Sequence, residues 1–262
     1  MPSYQFVEVE IHGHRGEVRL NRPQSLNALN SPMLKELAAV LARMAEDRAV
    51  RTVILSGSGK GFCSGQDLKE VMAQGPDLDI AQHLDAYYHP VIYALRQMPK
   101  PSIAKIHGVA AGAGMSLALA CDLRIGSEDA RFSQAFVKIG LVPDSGSTYF
   151  LPRLIGLGKA MELAMLGDII SAQQAYALGI LNQIVPAKEL DDATSQLADR
   201  LEALPPLALG MIKRALNESG EHNLEQQLRL EQDLQQQAAL TQDHHLGLQA
   251  FVEKRTPHFT GH

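Results

Sequence analysis

Cysteine is scarce in this chain of 262 residues: there are two, Cys63 and Cys121, and they do not form a C-x-x-C pair. That spacing excludes a paired redox motif and a cysteine-based zinc site, and predicts reduced thiols in a cytoplasmic setting. Cys121, inside Leu117-Ala118-Leu119-Ala120-Cys121, reads as a small buried hydrophobe. Basic charge is also in short supply. Lys and Arg number 24 against 29 Asp and Glu, the formal net charge is −5, and no basic run occurs. A general nucleic-acid or anionic-membrane surface is therefore not expected. Lys254-Arg255 is the best local cluster, and on composition alone it is a solvated helix end. No stretch reaches the ~20 consecutive apolar residues of a membrane span. Met1 to Glu10 lacks the basic-then-apolar pattern of an export signal.

What is present is a 45% hydrophobic composition, enough for one large core or a core plus a small appendage. Tyr4 to Glu10 and Glu17 to Leu20 alternate apolar and polar residues around His12-Gly13-His14-Arg15-Gly16, which predicts a hairpin. Ser31-Pro32 announces a helix whose apolar face carries Met33, Leu34, Leu37, Val40, Leu41 and Met44. Thr52 to Ser56, Ser102 to Ile106 and Asp122 to Ile125 read as strands. Helices such as Ile80 to Met98 between them favour parallel pairing through crossovers, an α/β fold. From Lys159 the pattern is helical, with Ser171 capping a short helix and Gly179 closing it. Pro205-Pro206 is the one punctuation mark able to divide the chain, giving a core over 1–204 and a helical region over 205–262. Leu224, Leu228, Leu230 and Leu234 leave an apolar stripe on that region, for a second subunit or for the chain's own core.

Four segments look chemical. Gly57-Ser58-Gly59-Lys60-Gly61 lacks the earlier glycine and the following Ser or Thr of a phosphate-binding P-loop, and reads as a turn. Gly114-Met115-Ser116-Leu117-Ala118 resembles a nucleophile elbow, the serine-hydrolase reading. The glycines at Gly108 and Gly112 instead place Ser116 on a helix after the turn. Phe62 to Asp67 and Gly108 to Gly114 each leave free backbone N–H groups after a strand, and two such groups can converge on one oxyanion. Val142-Pro143-Asp144-Ser145-Gly146 sets one acid among apolar residues and turn formers. It is either an ordinary turn or, if buried, a carboxylate of raised pKa able to act as a base.

Taken in order along the chain, these landmarks resemble the enoyl-CoA hydratase/isomerase (crotonase) family. They are Leu20-Asn21-Arg22-Pro23-Gln24-Ser25-Leu26-Asn27-Ala28-Leu29, Gly61 to Leu68, His107 to Gly114, Cys121-Asp122, Gly140 to Asp144, and Phe251 to Arg255. The resemblance implies a spiral of ββα units followed by helices that build a homotrimer or a hexamer. It implies an acyl-CoA substrate, with no further cofactor and no metal. The Ser64 and Ala113 N–H groups would form the oxyanion hole. Gly65, Gln66 and Asp67 would line the acyl-CoA site, Ser25, Leu26 and Ala28 would flank the adenine, and Lys254 would approach a CoA phosphate.

Two departures narrow the chemistry. The positions of the two glutamates with which the family's hydratases add water are Ser116 and Phe136 here, and neither side chain moves a proton. Asp144 remains, where some family isomerases keep an acid, and one carboxylate suffices to carry a proton between two carbons. It is also the position of the attacking aspartate in the family's dehalogenases, but these rely on a neighbouring tryptophan and this chain has none. The strings around Gly112 and Asp144, with Lys254-Arg255-Thr256-Pro257-His258-Phe259, look most like the branch that isomerises ring-epoxide CoA esters and shifts 3-enoyl to 2-enoyl thioesters. A hydratase and a non-catalytic acyl-CoA-binding subunit are the alternatives.

Overall fold

The computed structural model describes residues 4–75 and 77–262. β1 (Val7–His12) and β2 (Arg15–Leu20) form the expected antiparallel hairpin, and Gly13 takes a φ of 61° in its turn. β2 alternates, with Gly16, Val18 and Leu20 buried. β3 (Thr52–Gly57) is buried at all six positions, as a strand covered on both faces must be. β4 (Ser102–Ile106), β5 (Val109–Ala111), β6 (Leu123–Ser127), β7 (Arg131–Ser133), β8 (Ile169–Ser171) and β9 (Gln183–Val185) complete the set.

The larger sheet has the order β1-β2-β3-β4-β6-β9, parallel from β2 onward, and the smaller has the order β5-β7-β8. The chain lays β4 into the large sheet, β5 into the small one, runs through the helix Ala113–Ala120, and repeats the step with β6 and β7. Isolated parallel bridges Leu29↔Gln66 and Cys63↔Ala110 carry the small sheet back to the earlier turns. This is the spiral of ββα units. It stacks each strand-to-helix turn beside the next, so loops far apart in sequence meet on one side.

The helix Ser31–Glu46 buries the predicted apolar face, and its cap is Asn30, one residue earlier than the sequence signal, with Oδ1 accepting the Met33 N–H at 3.1 Å. Ser171 caps Ala172–Ala177 in a reciprocal box with Gln174. The expected single helix over Ile80 to Met98 is an α-turn Ile80–His83, a π-helical stretch Leu84–Tyr88 and an α-helix His89–Gln97. Pro90 lacks an N–H and its ring crowds the preceding turn, which a widened π turn relieves.

Beyond residue 205 come Pro206–Glu218, Leu224–Ala239 and Gln242–Val252. The first is pinned to the core by Lys213, whose buried Nζ donates to Leu95 O at 2.7 Å and Lys100 O at 3.0 Å and pairs with Asp122 at 2.8 Å. The second buries only Leu234 of its 16 residues. Among the described residues, no helix is long and apolar enough to cross a membrane.

Candidate active site

The segment after β3 and the segment after β4 lie against each other backbone to backbone. Phe62 N donates to His107 O (2.9 Å), Cys63 N to Val109 O (3.0 Å) and Ala111 N to Cys63 O (3.0 Å). Glycine is required at this contact: a Cβ on Gly114 would stand 2.3 Å from Cys63 O, and one on Gly65, at φ 100°, would stand 2.8 Å from Ala111 O and 3.5 Å from Ala113 N. The third strand of the rung comes from residues 26–29. Leu29 N donates to Gly65 O (2.7 Å) and Asp67 N to Leu29 O (2.9 Å).

That pairing corrects one sequence expectation. The Ser64 N–H donates to Leu26 O at 2.9 Å, so it is spent inside the sheet and does not face a ligand. The neighbouring Gln66 N–H, pointing the opposite way from the two bonds that flank it, has no acceptor among the described residues. Ala113, the first residue of its helix, likewise has an N–H with no acceptor among them. Gln66 and Ala113 thus each carry a backbone donor with no acceptor among the described residues.

The loop before this rung is locked from inside. Asn27 is fully buried at a left-handed φ of 56°; its Nδ2 donates to Ser58 O and Gly61 O, both at 2.8 Å, and its Oδ1 accepts Arg22 N at 2.9 Å. Arg22 Nη1 donates to Ala28 O (2.6 Å), and its Nη2 pairs with Asp67 at 2.8 Å, both side chains largely buried. Burial pushes the Asp67 carboxyl up, but the Arg22 guanidinium and the Lys69 and Glu70 N–H groups outweigh it and hold the carboxyl below its ordinary value. Asp67 also caps the helix Leu68–Gln74. Ser25 and Ser64 are tied together, Ser64 Oγ donating to Ser25 O at 3.1 Å. Leu26 is exposed, whereas Ala28 is buried. Sequence reading singled out neither Asn27 nor Arg22 as a clamp, because partners 31 to 45 residues away are invisible in a motif.

Asp144 is half-buried in the turn before the helix Ser147–Ile155. Ser145, at φ 53°, turns its Oγ back to donate to Asp144 Oδ1 at 2.8 Å. Burial raises the carboxyl above its ordinary value, and the Ser145 hydrogen bond and the charge of His89 offset part of that rise. A raised, half-buried carboxylate is suited to taking a proton from carbon and giving it back. Phe136 is buried, its ring 3.9 Å from the place of a Cβ on Gly112, and so fills the space beside the Ala113 helix start. Ser116 is fully buried, and its Oγ bonds back to Gly112 O at 3.3 Å. With its hydroxyl bonded to no His, Asp or Glu among the described residues and no access to solvent, it reads as a helix residue rather than a nucleophile.

The chain is matched over residues 12–262 by the family model described as enoyl-CoA hydratase/isomerase. It belongs to the enoyl-CoA hydratase/isomerase family. Among its relatives is the 1,2-epoxyphenylacetyl-CoA isomerase of Escherichia coli (strain K12), 43% identical over 92% of this chain and 93% of that protein. The crotonyl-CoA hydratase of Syntrophomonas wolfei is 33% identical over 98% of each. In structure, the enoyl-CoA hydratase of Bacillus anthracis superposes with a TM-score of 0.93 at 35% identity, over 98% of this chain and 100% of that one. The family's enzymes act on CoA thioesters, and both hydratase and isomerase names occur among these relatives. Within this family fold, Ser25, Leu26, Gly65, Gln66, Asp67 and Ala113 come from the interlocked turns just described, and Asp144 comes from the turn before the helix Ser147–Ile155, which packs on the helix Ala113–Ala120. Lys254 stands apart: it is exposed at φ 53° after the last helix and makes no hydrogen bond or ion pair with any of them.

Proposed function

We propose that the protein is an acyl-CoA isomerase in which Asp144 carries one proton between carbons while backbone N–H groups hold the thioester oxygen. The observation that carries this reading is a half-buried Asp144 of raised pKa in a site whose hydratase carboxylate positions hold a buried serine and a buried phenylalanine. Hydration needs a base for water and a proton for carbon; isomerisation needs only one group that does both in turn.

In the proposed cycle the thioester carbonyl accepts hydrogen bonds from Gln66 N and Ala113 N. Asp144 removes a proton alpha or gamma to it, leaving the electron pair delocalised as an enolate on that oxygen. The same carboxyl returns the proton to another carbon, and the enolate collapses to the isomeric thioester. Each donor in such a hole is worth ~2.7 to 4 kcal/mol in the transition state. Substrates that fit are 3-enoyl-CoA esters and, from the similarity to the E. coli isomerase, 1,2-epoxyphenylacetyl-CoA.

Ser25, Leu26 and Ala28 are assigned to the adenine side of the CoA path, and Lys254 to a CoA phosphate across a subunit boundary, since its own chain offers it no place in the site. A subunit interface, as in the homotrimer or hexamer of the family reading, is supported by the exposed Ile212, Leu216, Leu224 and Leu228 on the C-terminal helices. The deciding experiment incubates the protein with 2-enoyl, 3-enoyl and epoxyphenylacetyl CoA esters and monitors mass and ultraviolet absorbance. Isomerisation leaves the mass unchanged. Gain of a water would establish a hydratase, and binding without turnover a non-catalytic subunit.

A further inference from the structure

One buried polar group beside the site has no role in the proton shuttle. Tyr88 closes the π-helical stretch Leu84–Tyr88 and is 3% exposed, whereas Tyr93 on the next α-turns is 57% exposed. A π turn rotates the downstream residues relative to an unbroken α-helix, and such turns recur where a side chain is aimed at a function. The ring is held from behind by His83, with centroids 5.8 Å apart. Its hydroxyl reaches the carbonyl of Leu29 at 3.5 Å, the outer limit of a hydrogen bond. That carbonyl already accepts the Asp67 N–H at 2.9 Å, and Leu29 is the bridge partner of Gln66. The phenol therefore sits at the rung that presents one of the free N–H donors, with its own proton weakly engaged.

Two alternative tasks are already filled. Asp144 has its orienting donor in Ser145, and the thioester oxygen has backbone donors. Tyr88 stays protonated: burial, and next the negative charge of Asp144, push its phenol far up, with Cys63, Glu70 and Asp67 adding to the rise. It is a donor at every working pH, and a buried donor lacking a good acceptor favours a ligand that brings one.

We propose that Tyr88 is a specificity residue that donates a hydrogen bond to an oxygen atom on the acyl group, selecting ring-oxygenated acyl-CoA esters over hydrocarbon ones. This rests on the acyl-CoA reading of the site and deepens it. The bond is made to the substrate's epoxide oxygen and transfers no proton, so the isomerisation stoichiometry is unchanged.

The test compares wild type and Tyr88→Phe on an epoxyphenylacetyl-CoA and on a straight-chain 3-enoyl-CoA. A neutral hydrogen bond of this kind is worth about tenfold at most, so kcat/KM for the epoxide is expected to fall by about that factor while the hydrocarbon ester is unaffected. An equal loss on both, or no loss on either, overturns the proposal. A second measurement needs neither turnover nor a variant: inert cyclohexylacetyl-CoA and its ring-ether counterpart, tetrahydropyranylacetyl-CoA, are titrated into wild-type protein. Several-fold tighter binding of the ether supports the assignment, and equal affinity overturns it even if the variant does not fold. Failure of the acyl-CoA reading itself is separate, because then neither ester binds.

Discussion

Gly65→Ala probes the contact on which the proposed oxyanion hole depends. At φ 100° an L side chain is strained, and the added methyl would lie 2.8 Å from Ala111 O, backbone that cannot swing away as a side chain can. The backbone strain alone costs on the order of 1 to 2 kcal/mol. Relieving the overlap requires the strands at Gly65 and Ala111 to part by roughly half an ångström, while oxyanion donors work within ~2.7 to 3.1 Å of the oxygen. One donor is then lost, and kcat is expected to fall by about 10² to 10³, with a smaller change in the affinity for a CoA ester. Gly13→Ala is the control, since it has a φ of 61° but open space within 4 Å. It should lower the melting temperature by the backbone strain alone, less than Gly65→Ala, and leave kcat untouched. The assay is steady-state turnover of a 3-enoyl-CoA beside thermal unfolding of both variants. A folded Gly65→Ala protein with wild-type kcat refutes the placement of the hole between Gln66 and Ala113.

The remaining expectations concern charge and assembly. Because Asp144 must be ionised to accept a proton and burial raises its pKa, the acid limb of the kcat/KM profile should lie above the ordinary aspartate range near ~3.9; a limb at or below that range contradicts the assignment. The Asp67 carboxyl has its folded pKa depressed, so its stabilisation is present above the unfolded value and is lost as pH falls through the folded one. Asp67→Asn should therefore destabilise the protein by about 1 to 3 kcal/mol at neutral pH and by much less in acid, as read from chemical denaturation at both pH values. Leu228→Asp puts a charge on the exposed stripe of the helix Leu224–Ala239. If that stripe joins subunits, it should lower the mass seen in light scattering while the helix content holds.

Much of the fold was legible because its signals are local. The β1-β2 hairpin is dictated by alternation around Gly13, the helix Ser31–Glu46 by its apolar spacing, and the capped helix at Ser171 by a reciprocal Ser and Gln. The short strands β7, β8 and β9 were not legible: three residues carry no period, and what pairs them is the stacking of the spiral. Nor was the π stretch at Leu84–Tyr88, whose only signature is a proline inside an otherwise regular helix.

The site divides the same way. Asp144 is visible in sequence as a lone acid in an apolar turn, singled out by the family resemblance, and the absence of carboxylates at Ser116 and Phe136 is read position by position. Sequence pointed to the Ser64 N–H as a free donor, and the structure instead leaves the Gln66 N–H free, because which backbone N–H is spent depends on the pairing of residues 26–29 with 64–67. The Asn27 and Arg22 clamps likewise join loops that only the folded chain brings together.

The most direct measurement is turnover of a 3-enoyl-CoA by Asp144→Asn, with the affinity for a non-reactive CoA ester measured on the same preparation. Asparagine keeps the shape and loses the proton-accepting carboxylate, so the rate is expected to drop by about 10² to 10⁴ while ester affinity holds. A variant that turns over substrate at the wild-type rate would contradict the account.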